Sequence, residues 1–142
     1  MSLAARAVID TNVLVSGSLY PLSVPRQAVE HVLAKGVVLT SRPLLAEFHD
    51  VLARPKFDKR MARADRLKLF EKLIEAAVVI DPTTVVTDCR DPKDNMVLEL
   101  AIDGRATCII TGDADLLALH PFRGVPVLSP ADFLAATAPP AV

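Results

Sequence analysis

The chain has 142 residues, 51% of them hydrophobic and 23% charged, which suits one domain with a real core and excludes general disorder. Five Phe, one Tyr and no Trp leave that core to aliphatic side chains, and the net charge of −1 gives no overall pull toward nucleic acid. No apolar run approaches the roughly 18 residues of a membrane span and no signal-peptide pattern opens the chain, so a cytoplasmic protein with no membrane partner is expected.

Ala7-Val8-Ile9 is a short apolar run ending at Asp10-Thr11-Asn12, a strand followed by a turn. A loop containing Gly, Ser and Pro is expected next. It leads to a helix carrying Val24, Ala28, Val29, Val32 and Leu33, which Gly36 stops. Val37-Val38-Leu39 predicts a second strand. Ser41 then fits an N-cap with Pro43 in the first turn, opening a helix with Leu44, Leu45, Phe48, Val51 and Leu52 on one face. A further helix carries Leu67, Phe70, Leu73, Ile74 and Ala77.

Val78-Val79-Ile80 predicts a third strand, stopped by Asp81-Pro82 and placed at a sheet edge. Asp91-Pro92 opens a helix carrying Val97, Leu100 and Ala101. Thr107-Cys108-Ile109-Ile110 is the fourth strand, a short helix surrounds Leu116-Leu117, and Val125-Pro126-Val127 is the fifth strand. Ser129-Pro130 starts a last helix. Short apolar strands alternating with amphipathic helices predict a single three-layer α/β/α domain on a parallel sheet covered on both faces, spanning residues 1–137. Residues 138–142, with Pro139-Pro140, are expected to form a disordered tail.

Cys108 lies in an apolar run and reads as a buried small hydrophobe, and neither it nor Cys89 has a partner at zinc-ligand spacing. His31, His49 and His120 stand singly, so no Ser-His-Asp or Cys-His mechanism is indicated. Charge is unevenly spread. Between Arg54 and Lys72 eight basic residues meet three acids, while between Asp88 and Asp115 seven acids meet three bases. The first stretch suits a phosphate chain and the second a cation.

Chemistry in open parallel sheets collects at the carboxyl ends of the strands. Asp10 ends the first strand and Asp113 follows the fourth in Thr111-Gly112-Asp113-Ala114-Asp115, so neighbouring strands would bring both to one cleft. Asp94 lies in the first turn of the helix leading into the fourth strand, on the same edge. At roughly 100° per residue, Glu47 flanks the apolar stripe of its helix and reaches over that edge. Each acid has a plain alternative as a turn former, helix cap or solvated side chain. Together, however, crowded carboxylates need protons or a cation. An all-oxygen donor set favours Mg²⁺ or Mn²⁺, ions suited to phosphodiester hydrolysis.

In order and at spacing, Val8-Ile9-Asp10-Thr11-Asn12, Glu47 within Leu44-Leu45-Ala46-Glu47-Phe48, Asp91-Pro92-Lys93-Asp94-Asn95 and Thr111-Gly112-Asp113-Ala114-Asp115-Leu116-Leu117 resemble the PIN-domain family. The likeness is to its bacterial toxin-type, VapC-like members. It implies a Rossmann-like five-stranded parallel sheet, one or two Mg²⁺ or Mn²⁺ ions, and hydrolysis of single-stranded RNA. It also implies frequent homodimers and a small antitoxin protein. Asp10, Glu47, Asp94 and Asp113 take the family's acidic positions, with Asp115 a further metal candidate and Asn12 and Thr111 orienting ligands by hydrogen bonds. One departure is Asn95, where many toxin-type members carry a small apolar residue.

Lys59, Arg60 and Arg63 are expected to guide RNA toward the cleft through its phosphates. Two other readings compete with this one. The first is a non-catalytic PIN-like module binding RNA or a partner, which needs none of the four acids. The second is a phosphotransfer or phosphatase domain. Asp10-Thr11-Asn12 lacks the Asp-x-Asp of a dehalogenase-like phosphatase, and the acceptor Asp and the Lys of a response-regulator receiver are not evident.

Overall fold

The structure, a computed structural model, describes residues 5–138. Of the expected tail, residues 139–142 therefore lie outside the described residues. The chain runs β1 (Arg6–Ile9), α1 (Thr11–Leu19), α2 (Val24–Lys35), β2 (Val37–Thr40), α3 (Arg42–Leu52), a 3-10 turn at Pro55–Phe57 and α4 (Arg63–Ala76). It continues with β3 (Val78–Val79), α5 (Pro92–Asp103), β4 (Cys108–Ile110), α6 (Ala114–Leu117), β5 (Val127–Leu128) and α7 (Pro130–Thr137). The five strands form one parallel sheet in the order β3-β2-β1-β4-β5. This is the expected Rossmann-like α/β/α sandwich. Strand order reverses between β1 and β4, so the switch point lies between the two strands that deliver Asp10 and Asp113.

Alternation along the strands divides the core in two. Ala7, Ile9, Val38, Cys108 and Ile110 face a layer that includes Val13, Leu14 and Leu19 of α1, Val29 and Val32 of α2, and Phe133 of α7. Val8, Leu39, Ile109 and Val127 face the other way, against Val97, Leu98, Leu100 and Ala101 of α5 and Leu116 of α6. The register Val8↔Leu39 and Val8↔Ile109 keeps each set in its own layer. Among the described residues, no helix is long and apolar enough to cross a membrane.

Two expectations are corrected. The segment after Asp10 is not a loop but a nine-residue helix, α1, with Thr11, Val13, Leu14, Val15, Gly17 and Leu19 all buried. A helix enclosed on nearly every side has no polar face to reveal its period. The fifth strand also lies later than Val125-Pro126-Val127 implied. Pro126 has no N–H to give, and only its carbonyl joins the sheet, accepting from Ile109 N–H at 2.9 Å. Edge strand β3 is two residues long with both valines 44% exposed, and Asp81 beyond it is an exposed acid 3.6 Å from Arg42.

Candidate active site

Asp10 stands at the N-cap position of α1 in extended conformation, yet its side chain makes no capping hydrogen bond. Its main-chain N–H donates to the Ile110 carbonyl at 2.9 Å, continuing the β1–β4 ladder by one rung. That rung sets Asp10 beside Thr111. The Thr111 hydroxyl donates to Asp10 Oδ2 at 2.8 Å and accepts from Asp113 N–H at 3.0 Å. Asp10 is only 6% exposed. Burial pushes its carboxyl above the ordinary range, Thr111 and the Thr11 main chain partly counter this, and the charges of Glu47 and Asp113 push it further up.

Asp113 caps α6, its Oδ1 accepting from Asp115 N–H at 2.8 Å and Leu116 N–H at 3.3 Å. A capping role and a place in the acid cluster therefore coincide in one side chain. Asp94 is half-buried in the first turn of α5, whose cap is supplied by Asp91, accepting from Lys93 N–H at 3.0 Å. Burial raises the Asp94 carboxyl to about 6, with the charges of Asp113, Asp10 and Asp91 acting in the same direction. Glu47 is half-buried on α3, next to buried Phe48 and within range of the Asp10 charge.

Two residues belong with this group that sequence reasoning did not connect to it. Cys89 is buried, and its thiol lies 3.7 Å from Asp94 Oδ2, close enough to donate. Asn95 is buried and clasps the Cys89 main chain. Its Oδ1 accepts from Cys89 N–H at 2.9 Å and its Nδ2 donates to the Cys89 carbonyl at 3.3 Å. A polar residue in the apolar half of a helix was the available signal for Asn95. Nothing in the local pattern tells which way a small buried thiol points.

The acids thus gather at the carboxyl edge of the sheet, where neighbouring carboxylate charges add to burial in raising the proton affinity of Asp10 and Asp94. Among the described residues there are five ion pairs, and Asp10, Glu47, Asp94 and Asp113 belong to none of them. Hard oxygen donors with no basic partner are chemically suited to a divalent cation. Their side chains are not drawn together around a point: among the described residues, no three His, Cys, Asp or Glu stand close enough to share a metal ion. Asp115 stands apart, exposed and lining a shallow cavity of about 400 Å³ with Thr87, Asp88, Cys89, Arg90 and Leu119. Asn12 is exposed on the first turn of α1.

The basic stretch divides on inspection. Arg66 is fully buried, bound to Asp58 at 2.7 Å and to the Met61 carbonyl at 2.8 Å, so it ties the 3-10 turn to α4. Arg60 is exposed but tethered, donating to the Leu19 carbonyl at 3.0 Å with its guanidinium 4.6 Å from the Tyr20 ring centre. Lys59 and Arg63 are exposed.

Comparison with known proteins bears on this arrangement. A family model described as PIN domain matches residues 6–115. An uncharacterised protein of Methanocaldococcus jannaschii is 34% identical over 117 residues, 81% of this chain and 75% of that one. Among solved structures, VapBC2 of Rickettsia felis, bound to a DNA fragment from its promoter, superposes with TM-score 0.58 at 12% identity, over 85% of this chain and 96% of that one. VapC20 of Mycobacterium tuberculosis, a toxin that cleaves the Sarcin-Ricin loop, gives 0.53 at 12% identity over 80% and 95%. PAE2754 of Pyrobaculum aerophilum gives 0.51 at 16% identity over 97% and 93%.

Proposed function

The chain belongs to the PIN-domain family, and from that premise we propose that it is a Mg²⁺- or Mn²⁺-dependent endoribonuclease acting on single-stranded RNA, the toxin of a toxin–antitoxin pair. Family and fold support a nuclease-type hydrolase in general. The observation that carries the finer reading is Asp10. Its carboxylate is buried at a helix start it does not cap, is aimed by Thr111, and has acids rather than bases around it.

Asp10, Glu47, Asp94 and Asp113 are the residues that would hold the cation, with Asp115 as an outer candidate. When bound, one or two such ions supply acidification of the attacking water and neutralisation of charge on the phosphate. The protein's own part is to aim and to move a proton. Thr111 fixes the rotamer of Asp10. A carboxylate of the cluster, Asp94 or Asp113, would accept the proton of the attacking water. The new bond would be water oxygen to phosphorus and the broken one phosphorus to O3′, with the departing O3′ taking a proton from solvent water, which leaves a 5′-phosphate and a 3′-hydroxyl. Exposed Lys59 and Arg63, with tethered Arg60, would hold the RNA by its phosphates. A small antitoxin protein and a second copy of the chain are the further partners this reading expects.

Cleavage of a single-stranded RNA in Mn²⁺ tests it. Asp10→Asn keeps the shape and removes the charge, so it should cost at least ~100-fold in rate. EDTA should abolish cutting. Activity that survives EDTA, or a folded Asp10→Asn protein that cuts at the wild-type rate, would reject the mechanism. A folded wild-type protein that binds RNA without cutting it would instead support a non-catalytic module.

A further inference from the structure

We propose that Cys89 is a positioning residue: held by the side chain of Asn95, its thiol fixes the Asp94 carboxylate, committing one oxygen to the protein and leaving the other for the cation. This rests on the reading of Asp94 as a metal-holding acid.

An aspartate in the first turn of a helix has an obvious alternative occupation, which is to turn back on its own N-terminal amides. In α5 that site is already filled by Asp91, bound to Lys93 N–H. Asp94 is released from capping and needs something else to choose its rotamer. The thiol of Cys89 is the donor in reach, at 3.7 Å from Oδ2. Cys89 itself is buried in the apolar layer that holds Val86, Val97, Leu116 and Phe122. Its main chain is gripped at both polar groups by the Asn95 amide, at 2.9 Å and 3.3 Å.

Asn95 follows Asp94 on the same helical turn, so the anchor and its target move together. Loop, thiol and carboxylate form one unit. A thiol is a weak donor. It is strong enough to bias a rotamer and too weak to compete with a divalent cation for the same carboxylate.

The test compares Cys89→Ala, Cys89→Ser and Asp94→Asn with wild type, as full-length metal-free chains titrated with Mn²⁺ alone by calorimetry. Loss of a residue that orients a metal ligand typically weakens affinity by about 10- to 100-fold. Cys89→Ala is expected at the lower end, about tenfold, with Cys89→Ser, which keeps a donor, recovering most of the loss. RNA cleavage should show the same order in kcat, with KM unchanged. Thermal melts of the metal-free variants separate this from packing. If Ala and Ser weaken Mn²⁺ binding equally, in step with lost folded protein, Cys89 only fills space and the proposal fails. If Cys89→Ala binds Mn²⁺ like wild type while Asp94→Asn does not, the positioning role falls and the active-site reading stands. If Asp94→Asn also binds and cuts like wild type, both fall.

Discussion

At Asp94 the cost of the acid cluster becomes measurable. An acid whose pKa is higher folded than unfolded destabilises the fold once it is ionised. For Asp94 that cost is absent below the ordinary value of 3.8 and complete once the pH has passed about 6. Asp10, raised by burial, acts in the same sense. Metal-free protein should therefore gain stability from these groups as the pH falls from about 7 to about 5. Asp94→Asn should remove part of that slope, read as urea midpoints at the two pH values. Asp103, lowered by Thr84 and Thr83, works in the opposite direction but only below its ordinary 3.8, outside this window. A wild-type slope retained in Asp94→Asn would mean that the acid carries no such cost. The positions of these acids at a strand end, a helix start or a helix face could be read from the sequence, because such features are local. Their partners could not. Thr111 meets Asp10 across 101 positions, and only the strand register shows that the two are neighbours.

Helix starts were the most legible elements. Ser41 and Ser129, both read as openings, cap their helices through the amide three residues on with a proline in the first turn, and Asp91 caps through Lys93; Ser23 caps α2 in the same way but was not singled out in the sequence. Helix α1 was illegible for the opposite reason. Its Val13, Val15 and Gly17 are poor helix formers, and the helix owes its form to being enclosed. Gly36 reads from sequence as a helix stop, and the structure adds a second demand on it. A Cβ there would collide with the Ala5 carbonyl, whose oxygen accepts from Val37 N–H at 2.7 Å where β2 begins beside β1. Gly36→Ala should therefore destabilise by about 1–3 kcal/mol, as overpacking does, seen as a lower Tm. An unchanged Tm would mean that Ala5 yields freely.

Taken as one object, the molecule separates charge along its surface, but less simply than residue counts imply. Arg66 is enclosed and Arg60, though exposed, is tethered to Leu19 and Tyr20, so Lys59 and Arg63 are the untethered members of the proposed trio. Replacing each of these two by Glu should lower the slope of log affinity for single-stranded RNA against log salt by about 0.7 per lost contact. Arg60→Ala should show chiefly as lost stability. A slope unchanged in the Glu variants would make this surface a solvated one. The four acids, meanwhile, are mounted unequally. Asp10 and Asp113 are joined through Thr111 at the ends of two central strands, whereas Asp94 and Glu47 ride on helices laid against the sheet. On the proposed reading, a cation shared by the two pairs would need α3 and α5 seated so that the second pair faces the first, and its observed affinity would be the intrinsic one scaled by the fraction of molecules so seated. How tightly α3 and α5 seat on the sheet would then be a setting for the proposed activity, adjustable from core positions that meet neither the acids nor the solvent.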